Sequence, residues 1–214
     1  MDTQSLLESI YEADRRADAA ETQLLDQSDT KQLASVLSEE VSKACQLADR
    51  DEAERRLRRL SDLCAQCPSN ATIDALFQIL DEESSNLRTI ACEALLDLSY
   101  ERYGEVARRI EARIATNHKG HSMQELPFII AEVGEASALS LISQFLKHPD
   151  SETVAAAIEA LASLGEPGAE PALQALAQDP RAVTLYDDDE ELTTTIGDLA
   201  SEALSLISPD EDLS

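Results

Sequence analysis

A motif that recurs along the chain limits what it can fold into. The segment CEALLDL at 92–98 matches IEALASL at 158–164, and the two lie 66 positions apart. QILDEESSNL aligns with QFLKHPDSETV at the same offset, so that Leu80 falls on Leu146. A shift of 66 positions corresponds to two units of about 33 residues, and two short helices in each unit are typical of an α-solenoid.

The apolar residues of one unit follow the period of a helix. Ile73, Leu76, Phe77 and Leu80 recur every three or four positions, and polar residues at 81–85 then interrupt the pattern. A second stripe runs from Leu87 to residue 98. Helices of about three turns with one apolar face are marginal alone, so we expect them to stack on one another.

These residues resemble HEAT repeats, in particular the short bacterial HEAT-like repeats first named from phycobilisome lyase subunits. The matching pattern is an apolar first helix, an acidic turn, and a second helix that begins with Leu87-Arg88 and ends in EAL. The resemblance covers roughly residues 70–208 and implies an all-α fold, an α-solenoid of about five helical hairpins. We predict an N-terminal helical arm at 1–30, a repeat array at 31–208 and a disordered acidic tail at 209–214. The predicted repeats are a degenerate first one at 31–67, then 70–98, 102–134, 135–165 and 166–208, the last with an acidic insertion at 184–195.

The chain is strongly acidic, with a formal net charge of −26. Residues 120–214 contain 2 basic and 19 acidic residues and account for most of this charge. Such a field repels phosphate backbones and anionic lipid surfaces, so we expect neither nucleic acid nor membrane as a partner. Two explanations of the acidity remain open: solubility, as in a host with a salty cytoplasm, or a docking surface for a basic partner.

The beginning, MDTQSLLESIYEADRR, has no apolar segment of the kind found in signal peptides, and no apolar run is long enough to cross a membrane. We therefore expect a cytoplasmic protein. The sequence contains no catalytic or cofactor motif, so we expect no catalytic residues and no cofactor.

A basic ridge is predicted on the helix at 51–67. Arg55, Arg58 and Arg59 fall opposite its apolar stripe when the helix is stepped at 100° per residue. Local pairing with Asp51, Glu52 or Glu54 is one explanation. The other is an anchor for an acidic segment or a carboxylate ligand, since Arg binds carboxylates in a two-pronged manner.

Two polar loops raise metal hypotheses. His118 and His121 are three positions apart but lack a third ligand nearby in the sequence, so a solvated turn is expected. The candidate acidic loop lacks the ligand spacing of an EF-hand, and we predict a charged surface loop there. Its residues are Asp187, Asp188, Asp189, Glu190 and Glu191.

The four cysteines include one CxxC pair, Cys64 and Cys67. A thioredoxin-type site needs this motif in a βαβ setting, and a structural zinc site needs four ligands. Cys45, Cys64 and Cys92 fall on apolar stripes, where cysteine packs as a small hydrophobe. Core packing is the prediction, with metal ligation by Cys64 and Cys67 and thiol chemistry as open alternatives.

The resemblance implies a non-enzymatic scaffold that offers the concave wall of a solenoid to a protein partner, possibly one with a basic segment. Second helices line that wall in the family. Two alternatives are a subunit or chaperone of a bilin lyase, or another factor in phycobilisome assembly or turnover, and a metal- or Fe–S-handling adaptor. The candidate partner-binding residues, including the basic ridge, are Arg55, Arg58, Arg59, Arg88, Glu93, Glu152 and Glu159.

Overall fold

Helical hairpins build most of the molecule. The computed structural model describes residues 2–187 and 190–207, with the side chains of 185–187, 190 and 191 left out of the description. Its α-helices are α1 (Thr3–Gln27), α2 (Thr30–Cys45), α3 (Arg50–Gln66), α4 (Asn70–Leu80), α5 (Ser85–Ala115), α6 (His121–Val133), α7 (Ala138–Phe145), α8 (Ser151–Leu164), α9 (Glu170–Gln174) and α10 (Ile196–Ile207).

Short polar side chains set where several helices begin. Asp49, Ser84 and Asp150 each accept a hydrogen bond from the backbone N–H of the third helical residue of α3, α5 and α8. Ser69 and Thr72 form a reciprocal capping box at the start of α4. These contacts satisfy N–H groups that have no partner within the helix, which fixes the phase of each apolar stripe relative to its turn.

The helices stack as a solenoid. Successive hairpins pair α2 with α3, α4 with the first half of α5, the second half of α5 with α6, α7 with α8, and α9 with α10. The second helices of these hairpins, α3, the first half of α5, α6, α8 and α10, each pack on the next. This arrangement confirms the predicted all-α solenoid.

One helix serves two hairpins. We expected a break between residues 98 and 102, but α5 continues through this region and bends at Arg102, where φ is −139° and ψ is 39°. The sequence around the bend, SYERYG, contains no proline, and the non-helical backbone of Arg102 alone changes the direction of the helix.

A single apolar core runs from Leu33 to Ile207 along the stack. Phe77 and Phe145 are its largest fully buried side chains, and most of the rest is Leu, Ile, Val and Ala. Four alanines of α8, Ala155, Ala156, Ala157 and Ala160, are buried and allow neighbouring helices to approach closely. The scarcity of aromatic residues therefore matches a core of closely spaced helices.

The acidic insertion differs from the prediction. Instead of a loop, strands β1 (Ala182–Asp187) and β2 (Glu190–Thr195) form an antiparallel hairpin in which Ala182 pairs with Thr195 and Val183 with Thr194. Val183 is buried, and the hairpin contacts α8 and α10. β-Branched residues at both ends of the insertion favour strands, and this preference outweighs the carboxylates between them. Asp188, Asp189 and the predicted tail at 209–214 lie outside the described residues.

Candidate interaction surfaces

A groove runs between the second helices, on the surface that we call the second-helix face. Its first section, of about 440 Å³, lies between α5 and α6. Cys92 and Leu96 of α5 and Phe128 and Ile129 of α6 supply apolar lining. Phe128 is 39% exposed, which is unusual for a phenylalanine in the middle of a helix stack. Four charged residues also line this section: Arg88, Glu93, Glu125 and Glu132.

The groove continues towards the C-terminal end of the stack. A section of about 240 Å³ between α6 and α8 shares Glu125 and Phe128 with the first and adds Glu152 and Glu159. A third section, of about 440 Å³ between α8 and α10, is lined by Glu159, Glu202 and Leu206, among others. Leu206 is 67% exposed. The first and third sections have a mainly apolar floor, the middle section is more polar, and carboxylates lie along all three.

The carboxylates of the groove form no ion pair with any cation that the structure describes. Among the described residues, no ion pair involves any of the five carboxylates that we call the glutamate row. The pKa of Glu159 is raised, first because partial burial removes some of the water around its carboxylate and second because Glu202 is close. A cation bound here would relieve that repulsion. The glutamate row consists of Glu93, Glu125, Glu132, Glu159 and Glu202.

The structure places four of the predicted partner-binding residues, Arg88, Glu93, Glu152 and Glu159, in the groove. The guanidinium of Arg88 is engaged locally, since its Nη1 donates to the carbonyl oxygens of Glu82 and Glu83 at 3.2 and 2.9 Å. Sequence reasoning missed Glu125, Glu132 and Glu202. The segment SEALSLI at 201–207 matches IEALASL at 158–164 and places Glu202 at the position equivalent to Glu159. Glu202 could therefore have been predicted from the repeat pattern.

The basic ridge of α3 is occupied by carboxylates from the same chain. Arg55 pairs with Glu52 at 2.9 Å, and Arg58 lies 3.8 Å from Glu54. Arg59 is ion-paired with Glu21 of α1. The guanidinium groups remain about half exposed or more, but the ridge has local partners that the glutamate row lacks.

All four cysteines are free thiols. Cys64 and Cys67 are buried, and the Cys67 thiol lies 3.6 Å from the carbonyl oxygen of Thr30. Burial raises the pKa of Cys45, Cys64 and Cys92 to about 12, so these thiols remain protonated at neutral pH. Among the side chains that the structure describes, no group of three or more His, Cys, Asp or Glu residues could hold a metal ion.

A polar junction that the sequence did not predict joins three helices. Asp81 at the end of α4 forms an ion pair with Arg113 of α5, accepts a hydrogen bond from the backbone N–H of Ser122 at 2.9 Å, and lies 2.9 Å from His118 Nε2. Arg113 Nε also donates to Ser122 Oγ at 2.9 Å, and its guanidinium lies 5.2 Å from the centre of the Phe77 ring. Asp81 therefore caps α6 from another repeat. Residues 116, 117 and 119 of the turn before α6 are exposed, while His118 is half-buried and takes part in this network.

Within the candidate acidic loop, Asp187 ends β1 and Glu190 and Glu191 begin β2, while Asp188 and Asp189 lie outside the described residues.

No described helix combines the length and apolarity that a membrane span requires.

Comparison with known proteins agrees with the repeat type. The family model for HEAT repeats matches residues 124–186, which include α7, α8 and all of α6 except its first three residues. This match confirms the HEAT-like repeat that the sequence pattern predicts, and such repeats generally mediate protein interactions. No curated protein matches the chain.

Two solved structures that match are crystal structures of engineered proteins, both targets of the Northeast Structural Genomics Consortium. One is 18% identical with a TM-score of 0.34, and the alignment covers 89% of this chain and 96% of the engineered one. The other is 18% identical with a TM-score of 0.35 and covers 80% of this chain and 47% of the engineered one. At these TM-scores neither supports an argument about shape or function.

Proposed function

We propose that this protein is a non-enzymatic scaffold whose second-helix face binds a basic, amphipathic segment of a partner protein. The observation that carries the proposal is the glutamate row, which lies along an apolar floor and has no cationic partner among the described residues. The partner's apolar side chains would cover Phe128 and Leu206, and its Lys or Arg side chains would reach the carboxylates.

The two components contribute differently to binding. Contact with the apolar floor removes Phe128 and its neighbours from water at roughly 25 cal/mol per Å² of apolar surface, which supplies affinity. The carboxylates supply orientation and selectivity, because unlike charges speed association while an acidic segment is repelled. A purely apolar or an acidic peptide should therefore bind less well than a basic amphipathic one.

A synthetic helical peptide with Leu and Phe on one face and Lys on the other tests the proposal by fluorescence anisotropy. The variant Glu93→Lys/Glu159→Lys/Glu202→Lys is expected to weaken binding by about tenfold or more, because like charges then face each other across the groove. Raising the salt concentration should weaken binding to the wild type more than to this variant.

A matched control keeps the net charge of the variant the same but moves the substitutions off the groove. Glu111, Glu135 and Glu166 are exposed and do not line it, so Glu111→Lys/Glu135→Lys/Glu166→Lys should bind nearly as well as the wild type. Equal losses in both triple variants would show that only overall charge matters, and the proposed surface would be wrong. The proposal would also be wrong if a peptide with every Lys replaced by Glu bound the protein with the same affinity.

A further inference from the structure

The N-terminal half of α1 has an apolar stripe that no other part of the described chain covers. None of the residues of α1 is buried. Leu6, Leu7, Ile10 and Tyr11 are 45–55% exposed and cluster within two turns. An isolated helix in water is marginal, and neighbouring large apolar side chains on it mark an interaction site.

Only the C-terminal half of α1 is held by the solenoid. Ala17, Glu21 and Leu25, at four-residue spacing, are half-buried. Leu25 packs against the core, and Glu21 pairs with Arg59 of α3. Residues 3–16, which we call the free half of α1, therefore extend beyond the contact with the body of the protein.

The spacing in the free half is that of a helix that pairs with another helix. Thr3, Leu6, Ile10 and Ala13 alternate steps of three and four, which places them at the seam positions of a heptad. Glu8 pairs with Arg15 of the same helix at 3.0 Å, away from this seam, while Arg16 flanks the seam and pairs with Glu12 at 3.4 Å. The acidic character of α1 makes the glutamate row an unfavourable place for it to dock.

We propose that the free half of α1 pairs antiparallel with the same segment of a second copy of this chain. In this alignment Leu6 lies against the second copy's Ile10, and Thr3 lies against its Ala13. Leu7 meets the second copy's Leu7 near the two-fold axis. Arg16, whose side chain is 81% exposed, lies beside the second copy's Asp2.

The antiparallel direction follows from where the bodies are attached. In this alignment residues 3–13 of the two copies overlap, over about 16 Å at 1.5 Å per residue, while the two solenoids project from opposite ends. The contact is isologous, so it closes at two chains and does not propagate. A parallel pairing would bring two acidic solenoids to the same end.

Sedimentation equilibrium of the full chain tests the pairing. At tens to hundreds of micromolar, the wild type should approach the mass of two chains. Ile10→Glu is expected to raise the dimer dissociation constant by at least about tenfold, equivalent to 1.4 kcal/mol. Val36→Glu is the matched control, because Val36 is 47% exposed on α2 and should leave the dimer intact. A monomeric wild type, or equal effects of the two substitutions in variants with wild-type circular dichroism, would overturn the proposal.

Cross-linking distinguishes the direction. Under mild oxidation, a mixture of Thr3→Cys and Ala13→Cys should form an interchain disulfide, because these positions face each other in the antiparallel pair. Each variant alone should give no more cross-linked dimer than the wild type with its four native thiols. Efficient cross-linking of either variant with itself would demonstrate a parallel pair and contradict the antiparallel alignment.

Discussion

Removing the carboxylate of Asp81 should destabilise the protein far more than removing that of Asp74. The side chains of Asp81 and Arg113 are 21% and 14% exposed, so their charges are largely withdrawn from water. Burial lowers the pKa of Arg113 from its ordinary value, against the opposing effect of Asp81 and Asp74. Asp81→Ala leaves a largely buried guanidinium without its main counter-charge, at a cost of about 3–5 kcal/mol. Loss of the cap on Ser122 N–H adds about 1 kcal/mol.

Asp74 provides the comparison within the same helix. It accepts two hydrogen bonds from Arg109, at 2.8 and 2.6 Å, but both side chains are about a third exposed. Solvent screens this pair, so Asp74→Ala should cost only about 1 kcal/mol or less. Urea unfolding followed by circular dichroism measures both variants.

The double variant Asp81→Ala/Arg113→Leu completes the test. Because it removes the stranded charge together with its partner, it should recover part of the stability that Asp81→Ala loses. The reasoning about burial is wrong if Asp81→Ala and Asp74→Ala lower the free energy of unfolding equally. It is also wrong if the double variant loses more stability than Asp81→Ala and Arg113→Leu lose when their separate losses are added.

Three further predictions concern buried groups. Burial lowers the pKa of His148, whose Nδ1 accepts a hydrogen bond from the Asp150 N–H at 3.2 Å. The unfolded chain therefore binds more protons than the folded one, and the free energy of unfolding should fall as the pH drops below about 6.5. His148→Asn should remove that dependence in urea titrations between pH 5 and 8. Cys64, with its pKa raised to about 12, should react with a disulfide reagent at neutral pH only after urea unfolds the chain, and rapid labelling of Cys64 itself in the native protein, located by peptide mass spectrometry, would contradict this. Gly197→Ala should lower the melting temperature, because its Cβ would lie 2.9 Å from the carbonyl oxygen of Ala177, and an unchanged melting temperature would show that this contact relaxes freely.

The repeat architecture could be predicted because it depends on the spacing of apolar residues within short segments and on the offset between similar segments. The offset between CEALLDL and IEALASL identified the stacked units, and the polar turn at 81–85 placed the start of the second helix that follows it. The same alignment put Glu93 and Glu159 at equivalent positions, and the structure places both along one groove.

The remaining features depend on contacts between distant residues or on competing local preferences. Asp81 meets Arg113 and His118 from 32 and 37 positions away, and a repeat pattern carries no information about such a pair. A loop was predicted in place of the hairpin at 182–195 because clustered carboxylates are typical of exposed loops, while the β-branched residues at both ends of the segment favour strands. Glu21 occupies Arg59 across 38 positions, so the basic ridge could be located on a helix but its intrachain partner could not be identified.

Mapping the bound basic peptide onto the protein by amide chemical shifts tests the central claim most directly. Our account predicts that the perturbed amides cluster on the second-helix face, around Glu93, Phe128, Glu159 and Glu202, and that α2, α4 and α7 remain unaffected. Perturbations centred on those first helices, or scattered evenly over the acidic surface, would contradict the account.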